Sequence, residues 1–166
     1  MEPIENKIAK SGLINLEMKI FKGNQKRAII DIKKWLYNGL ILKEKHFREN
    51  IKNHDWNQYE NHYVSIFCSE DTIIPVWAYM LVVSKLQPYT KNIIMGNLNE
   101  LEKFIFNLNI NNMDTSPYLN KRVLIKGCSE TYIPDDSFIT IVNKLSEKVK
   151  SIMFGEACSN VPIFKK

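Results

Sequence analysis

The sequence is poor in glycine and proline, with six of each in 166 residues, which excludes collagen-like and low-complexity classes. The longest apolar stretch, residues 73–83, contains Pro75 and is far shorter than the roughly 18 residues that a membrane span needs. The N-terminus has no apolar segment that would serve as a secretory signal. The apolar fraction of 45% is high enough to exclude disorder. We therefore expect a folded, soluble, cytoplasmic protein without a membrane partner.

Charge of one sign is not concentrated anywhere in the chain. The 23 basic and 18 acidic residues leave a formal net charge of +5, and no run of five like charges occurs. A scattered excess of this kind is typical of a solvated surface, so we expect no nucleic-acid partner. The motifs G-x-G-x-x-G, Walker A and G-x-S-x-G are also missing, and the sequence therefore does not indicate nucleotide binding or a serine hydrolase.

From residue 62 onwards, short β-branched or aromatic runs alternate with helical patterns. Strands are predicted at residues 63–67, 92–95, 122–126 and 149–154, with helices between them at 73–86, 97–108 and 134–148. This alternation predicts right-handed crossovers and a mainly parallel four-stranded sheet with the strand order 2-1-3-4. No convincing internal repeat is found in the sequence.

The first 61 residues follow a different pattern. Two short strands are predicted at 13–16 and 27–30, followed by a helical face at 32–36 and an amphipathic helix at 43–53. Because this segment is too small for a core of its own, we expect an N-terminal αβ extension packed on the sheet. The chain is thus predicted to be one α/β domain, with the extension at 1–61, the parallel core at 62–158 and a tail at 159–166.

Three cysteines are an odd number in a chain without a secretory signal, which argues against a disulfide framework. Each of them, Cys68, Cys128 and Cys158, is followed by serine and comes after a predicted strand. Since ligands bind at the carboxyl ends of parallel strands, this placement predicts three thiols at one sheet edge. Thiolates are ligands of zinc and of iron–sulfur clusters. The sequence therefore predicts a shared zinc or iron–sulfur site, although no C-x-x-C spacing supports it.

Neighbouring loops offer possible additional ligands for such a site. Asp71 and Glu156 lie in the same loops as Cys68 and Cys158, where carboxylates also commonly cap helices. His54 follows a predicted helix, and its neutral imidazole could bind a metal, although a capping or surface role is more common for such a residue.

Three functions remain open from these residues. The leading hypothesis is a metal or iron–sulfur binding accessory protein that is not itself an enzyme. Alternatively, Cys68 is the thiolate of a sulfur carrier or cysteine enzyme, stabilised by the N-terminus of the helix that follows it. If the cysteines are only small buried apolar residues, the protein is an adaptor for other proteins.

Six short segments spread over nearly the whole chain carry a family resemblance: SGLI at 11–14, GLILKEK at 39–45, NHDW at 53–56, IPVWAYML at 74–81, KGCS at 126–129 and GEACS at 155–159. Together they resemble an uncharacterised bacterial family, domain of unknown function 2480, which has no established activity. The resemblance implies partners among iron–sulfur assembly proteins, because genes of this family are often found beside those of the sulfur-mobilisation system.

Overall fold

The computed structural model describes residues 12–127 and 130–166, which form seven strands and four α-helices. In chain order they are β1 (Leu13–Glu17), β2 (Arg27–Asp31), α1 (Glu44–Asn53), β3 (Tyr63–Phe67), α2 (Val76–Leu86), β4 (Ile93–Met95), α3 (Leu98–Asn112), β5 (Arg122–Lys126), α4 (Asp135–Leu145), β6 (Ser151–Glu156) and β7 (Ser159–Lys165). Within this described part, no helix is both long and apolar enough to cross a membrane.

The strands form two sheets instead of the single sheet predicted. One sheet has the order β1-β5-β6-β7 and the other has the order β2-β3-β4. All neighbouring strands are parallel except β6 and β7, which form an antiparallel hairpin. The α/β class and the mainly parallel pairing are thus confirmed, whereas the four-stranded sheet of order 2-1-3-4 is wrong.

The predicted alternation of strands and helices after residue 62 is correct, but its strands divide into the pairs β3–β4 and β5–β6. The other side of β3 is occupied by β2, and the other side of β5 by β1, each with five residues in register. Joining a sheet edge satisfies the backbone hydrogen-bonding groups of these N-terminal segments. The first 61 residues, which were expected to pack on the sheet as an extension, therefore supply one edge strand to each sheet.

The C-terminal segment is a strand, not the predicted tail. β6 continues to Glu156, and the chain turns at Ala157 and Cys158 into β7. Gly155 has a φ of 125°, and a Cβ atom added there would lie 2.6 Å from the carbonyl oxygen of Ser159. The hairpin therefore requires glycine at this position.

The chain divides into two compact units. A continuous unit contains Asn24–Phe104, and a discontinuous unit contains Met1–Gly23 and Ile105–Lys166. Each unit has its own core of buried apolar side chains. In the continuous unit this core includes Ile30, Ile32, Trp35, Phe47, Val64, Ile66, Val82 and Leu86. In the discontinuous unit it includes Leu16, Met18, Phe21, Phe106, Val123, Ile125, Ile141 and Leu145.

The two units repeat the same architecture. Each unit has an edge strand followed by a 3-10 helix, and further along the chain a central strand, a helix and a third strand. In the continuous unit these elements are β2, Ile32–Trp35, β3, α2 and β4. The same elements in the discontinuous unit are β1, Met18–Lys22, β5, α4 and β6. Helix α1 and a 3-10 helix at Asn57–Tyr59 precede β3, just as α3 and a 3-10 helix at Ser116–Tyr118 precede β5, whereas β7 occurs only in the discontinuous unit.

Backbone details repeat as well. Asn61 and Asn120 precede equivalent strands, with left-handed φ values of 57° and 56°. Their backbone N–H groups donate to the carbonyl oxygens of Tyr89 and Lys148, at 3.1 and 2.9 Å. The prediction that the sequence contains no internal repeat is therefore wrong. The repeat is difficult to see in the sequence because the whole continuous unit is inserted between the first strand of the discontinuous unit and its remainder.

Candidate functional site

Cys68 directly follows the carboxyl end of β3, the central strand of the continuous unit. Four of the five residues of β3 are buried, so the chain leaves the core at this point. The Cys68 side chain is half-buried and packs against the core of the continuous unit. Its thiol is thus held at the carboxyl edge of a parallel sheet, where open α/β sheets bind their ligands.

Asp31 anchors the loop that contains Cys68. It is the last residue of the neighbouring strand β2, and its carboxylate accepts hydrogen bonds from the Ser69 backbone N–H at 3.1 Å and the Ser69 hydroxyl at 2.6 Å. A third hydrogen bond comes from the Lys33 backbone N–H at 2.9 Å. Burial opposes ionisation of Asp31, but these hydrogen bonds outweigh it and hold the pKa of its carboxyl group below 3.8.

Lys33 provides a second anchor through an ion pair between its ammonium group and the carboxylate of Glu70. The hydrogen bond and charge of Glu70 raise the pKa of Lys33, with smaller contributions from the charges of Asp31 and Cys68. Burial raises the pKa of Tyr79 on α2, and the charges of Cys68 and Asp31 raise it further. Through its ion pair with Glu70, Lys33 places a positive charge on the loop that carries Cys68. We refer to Asp31, Lys33, Cys68, Ser69 and Glu70 as the Cys68 site.

The residue pattern of the Cys68 site recurs in the discontinuous unit. Glu17 ends β1 as Asp31 ends β2, and Lys19 follows it as Lys33 follows Asp31. The carboxylate of Glu17 and the ammonium group of Lys19 are 2.7 Å apart. The sequence Cys-Ser-Glu also recurs at 128–130, after β5, although Cys128 and Ser129 lie outside the described residues. An acid-x-Lys segment and a Cys-Ser-Glu segment thus follow equivalent strands in both units.

Cys68 and Cys158, which were predicted to lie at one sheet edge, follow strands of different sheets. Cys68 follows β3 in the three-stranded sheet, whereas Cys158 is exposed in the β6–β7 turn of the four-stranded sheet. Within residues 12–127 and 130–166, no group of three or more His, Cys, Asp and Glu side chains could hold a metal ion. A zinc or iron–sulfur site that includes Cys128 stays a prediction.

The two carboxylates predicted as additional ligands belong to different units. Asp71 is exposed in the loop after the Cys68 site. Glu156 ends β6 in the discontinuous unit, where its carboxylate lies 3.4 Å from the ammonium group of Lys126. Glu156 is therefore part of an ion pair between neighbouring strands.

His54, the third possible ligand, belongs to an aromatic cluster. Its Nε2 atom is 3.0 Å from the hydroxyl oxygen of Tyr59, and its ring centroid lies 5.2 Å from that of Trp35 and 4.7 Å from that of Trp56. Burial lowers the pKa of His54, and the charge of Lys34 lowers it further. These contacts give His54 a structural role beside the 3-10 helix that carries Lys33.

Three cavities lie away from the Cys68 site. In the continuous unit, one of about 390 Å³ is lined by residues such as Asn61, Thr90 and Asn92, and one of about 470 Å³ by Lys26, Glu60 and His62. In the discontinuous unit, a cavity of about 240 Å³ has a purely apolar lining. None of these three cavities is lined by Cys68.

Sequence reasoning did not assign Asp31 and Lys33 to a site. The pattern that could have revealed them is the acid-x-Lys segment at 17–19 and 31–33, combined with the Cys-Ser-Glu segment at 68–70 and 128–130. Either segment alone is too short to indicate a site. Their shared arrangement becomes visible only when the parallel strands are paired.

The fold and the Cys68 site define an α/β protein with a half-buried cysteine anchored at the carboxyl edge of a parallel sheet. The chain belongs to the family described as protein of unknown function DUF2480, whose profile matches residues 2–166, as the sequence segments predicted. Comparison with curated proteins and with solved structures finds no match.

Proposed function

We propose that the protein is a cysteine-dependent sulfur carrier in which Cys68 accepts a sulfur atom and passes it on. The observation that carries the proposal is the double anchoring of the loop, by the Asp31–Ser69 hydrogen bonds and the Lys33–Glu70 ion pair. These contacts hold the two residues after Cys68 and keep its thiol at the sheet edge. The recurrence of the same residue types in the discontinuous unit indicates a role beyond local packing.

A thiol in this position can accept sulfur without an oxidant. The Cys68 thiolate attacks the terminal sulfur of a donor persulfide, a new S–S bond forms on Cys68, and the S–S bond of the donor breaks. The donor leaves as a thiolate, and the hydrogen of its persulfide group stays on the transferred sulfur. Lys33, whose ammonium group pairs with Glu70 two residues after Cys68, places a positive charge at the loop that carries the reacting sulfur.

The surroundings of Cys68 favour a carrier over an enzyme for small molecules. Such enzymes usually enclose their substrate in a cleft, and cavities of about 390, 470 and 240 Å³ are lined by residues other than Cys68. A half-buried thiol at an open sheet edge is accessible to the cysteine of another protein. A sulfur carrier would also suit iron–sulfur assembly proteins as partners, the class that the family resemblance implies.

Mass spectrometry of the chain after incubation with cysteine persulfide tests sulfur carriage. We expect the Cys68 peptide to gain the mass of one sulfur atom, reversibly with dithiothreitol, faster than the peptide of the exposed Cys158. The Cys68→Ser variant should lose this uptake and the Cys158→Ser variant should keep it. Uptake at Cys68 that is no faster than at Cys158 would contradict the proposal.

Metal and sulfide analysis after anaerobic purification distinguishes sulfur carriage from the predicted metal site. A shared site requires about one ion or cluster per chain, and a serine in place of any one thiolate ligand should remove most of it. Stoichiometric metal that is lost in each of the variants Cys68→Ser, Cys128→Ser and Cys158→Ser would establish the metal site and overturn sulfur carriage.

A further inference from the structure

Large apolar side chains are exposed around the Cys68 site. The exposed fractions are 91% for Ile73, 71% for Val76, 66% for Met80 and 71% for Met95. Ile73 lies in the loop between Cys68 and α2, Val76 and Met80 lie one turn apart on α2, and Met95 ends β4 beside Ile66 of β3. We call Ile73, Val76, Met80 and Met95 the apolar collar.

The discontinuous unit exposes apolar side chains at equivalent positions. Tyr132, Ile139 and Phe154 correspond to Ile73, Met80 and Met95, and their exposed fractions are 59%, 66% and 39%. Single exposed apolar residues are common and need no explanation. Exposed apolar residues at matching positions in two units of different sequence are harder to attribute to chance, and grouped apolar surface marks an interaction site.

Carboxylates surround the apolar collar. Asp31, Glu70 and Asp71 lie on the side of the Cys68 loop, and Glu100 lies in the first turn of α3, shortly after Met95. Lys33 pairs with Glu70, and Arg48, which lies 5.4 Å from the centroid of the Trp77 ring on α2, pairs with Glu44, so neither cation cancels the charges of Asp71 and Glu100. An anionic membrane surface or a nucleic acid would be repelled here. A protein surface with basic residues around an apolar centre is complementary in charge and polarity.

We propose that this edge of the continuous unit is a docking face for a protein partner with a basic contact surface around an apolar centre. The role of that partner, to deliver sulfur to Cys68 or to receive it, rests on the proposed function. Met80 and Met95 suit such a face, because flexible methionine side chains adapt to the shape of a partner.

Peptide binding to the full-length Cys68→Ser variant tests the docking face independently of sulfur transfer. Fluorescence anisotropy is measured with three labelled peptides of equal length, composed of lysine and leucine, of lysine and serine, or of glutamate and leucine. We expect the lysine–leucine peptide to bind about tenfold more tightly than the other two, because apolar contact and charge attraction both contribute. The substitutions Met80→Ser and Met95→Ser together should weaken its binding about tenfold.

Leu40→Ser is the matched control, because Leu40 is also exposed, at 57%, but lies in the turn before α1. This substitution should leave the affinity unchanged. Equal affinity for the three peptides, or equal effects of the methionine and Leu40 substitutions, would overturn the docking face while sulfur uptake at Cys68 could still succeed. Binding to phosphatidylglycerol vesicles that competes with the peptide would overturn it in favour of a membrane surface.

Discussion

The carboxylate of Asp31 accepts hydrogen bonds from both the backbone N–H and the hydroxyl group of Ser69, at 3.1 and 2.6 Å. Ser69 immediately follows Cys68, so this contact ties the thiol loop after β3 to the end of the neighbouring strand β2. An ionised carboxylate is a stronger acceptor than a neutral group. The order of the loop should therefore depend on the charge of Asp31.

Replacement of Asp31 tests this dependence. We expect Asp31→Ala to lower the free energy of unfolding by about 1 kcal/mol, the usual net value of a hydrogen-bonded group that is partly exposed, and Asp31→Asn to lower it less. Urea unfolding provides the measurement. Asp71→Ala, at an exposed loop position, is the control and should leave the free energy of unfolding unchanged.

The contribution of Asp31 should also depend on pH. Its pKa is lower in the folded chain than the ordinary value of 3.8, so the stabilisation is complete above that value and is lost as the pH falls below it. The difference in stability between the wild-type protein and Asp31→Asn should shrink below about pH 4. A difference that stays constant at acidic pH would show that the charge is not needed.

Lys33 should increase the reactivity of Cys68 through its charge. We expect Lys33→Met to slow alkylation of Cys68 by iodoacetamide about threefold, a modest factor because the ammonium group is exposed to solvent. Lys19→Met removes the equivalent lysine of the discontinuous unit and should not affect Cys68. Site-resolved mass spectrometry gives both rates, and equal slowing by the two substitutions would exclude a local effect of Lys33.

Protonation of His54 should destabilise the aromatic cluster of the continuous unit. Its pKa lies below 6.5 in the folded chain because of burial and the charge of Lys34, with Asp55 opposing the shift and Tyr59 contacting the ring. The unfolded chain therefore binds the proton more tightly, and stability should decrease as the pH falls below about 6.5. Urea midpoints followed by tryptophan fluorescence should show this decrease in the wild-type protein.

The variant His54→Gln should lose this pH dependence. His62→Gln should retain it, because His62 lies before β3 and its Nδ1 atom contacts the carbonyl oxygen of Glu60, outside the aromatic cluster. If both variants keep the same pH dependence as the wild-type protein, another group is responsible.

Gly155, within β6, and Gly96, directly after β4, have φ values of 125° and 151°, but alanine should affect them differently. At Gly155 the added Cβ atom meets the backbone oxygen of Ser159 at 2.6 Å, whereas at Gly96 it meets the flexible side chain of Glu100. We expect Gly155→Ala to cost about 2 kcal/mol and Gly96→Ala less. Thermal unfolding of the two variants measures both losses of stability. A larger loss for Gly96→Ala than for Gly155→Ala would contradict the prediction.

Local sequence signals were sufficient for most secondary structure. The bounds of β3 and β5 were predicted to the residue, because each is a short β-branched or aromatic run with clear ends. Helix α3 extends to Asn112, whereas the sequence predicted its end near residue 108, because the asparagine-rich end of the helix resembles a loop. The burial of Phe106 and Ile110 in the core of the discontinuous unit stabilises this last part of the helix.

The candidate site was predicted only in part. Cys68 was placed correctly at a strand end, because residue order along the chain puts it directly after β3. Asp31 and Lys33 were missed, since they reach the thiol loop only through the pairing of β2 with β3. The prediction that Cys68 and Cys158 share one sheet edge failed for the same reason, because their strands belong to different sheets.

The sequence by itself determined the α/β class, the alternation of strands and helices, and the family, because apolar periodicity, turn residues and short motifs are properties of contiguous segments. Only the tertiary structure decided which strands pair. β1 joins β5 across more than half of the chain, and β2 joins β3 across helix α1. Many short strands could satisfy the backbone hydrogen bonds at such an edge, so the choice depends on how whole units bury their apolar side chains together.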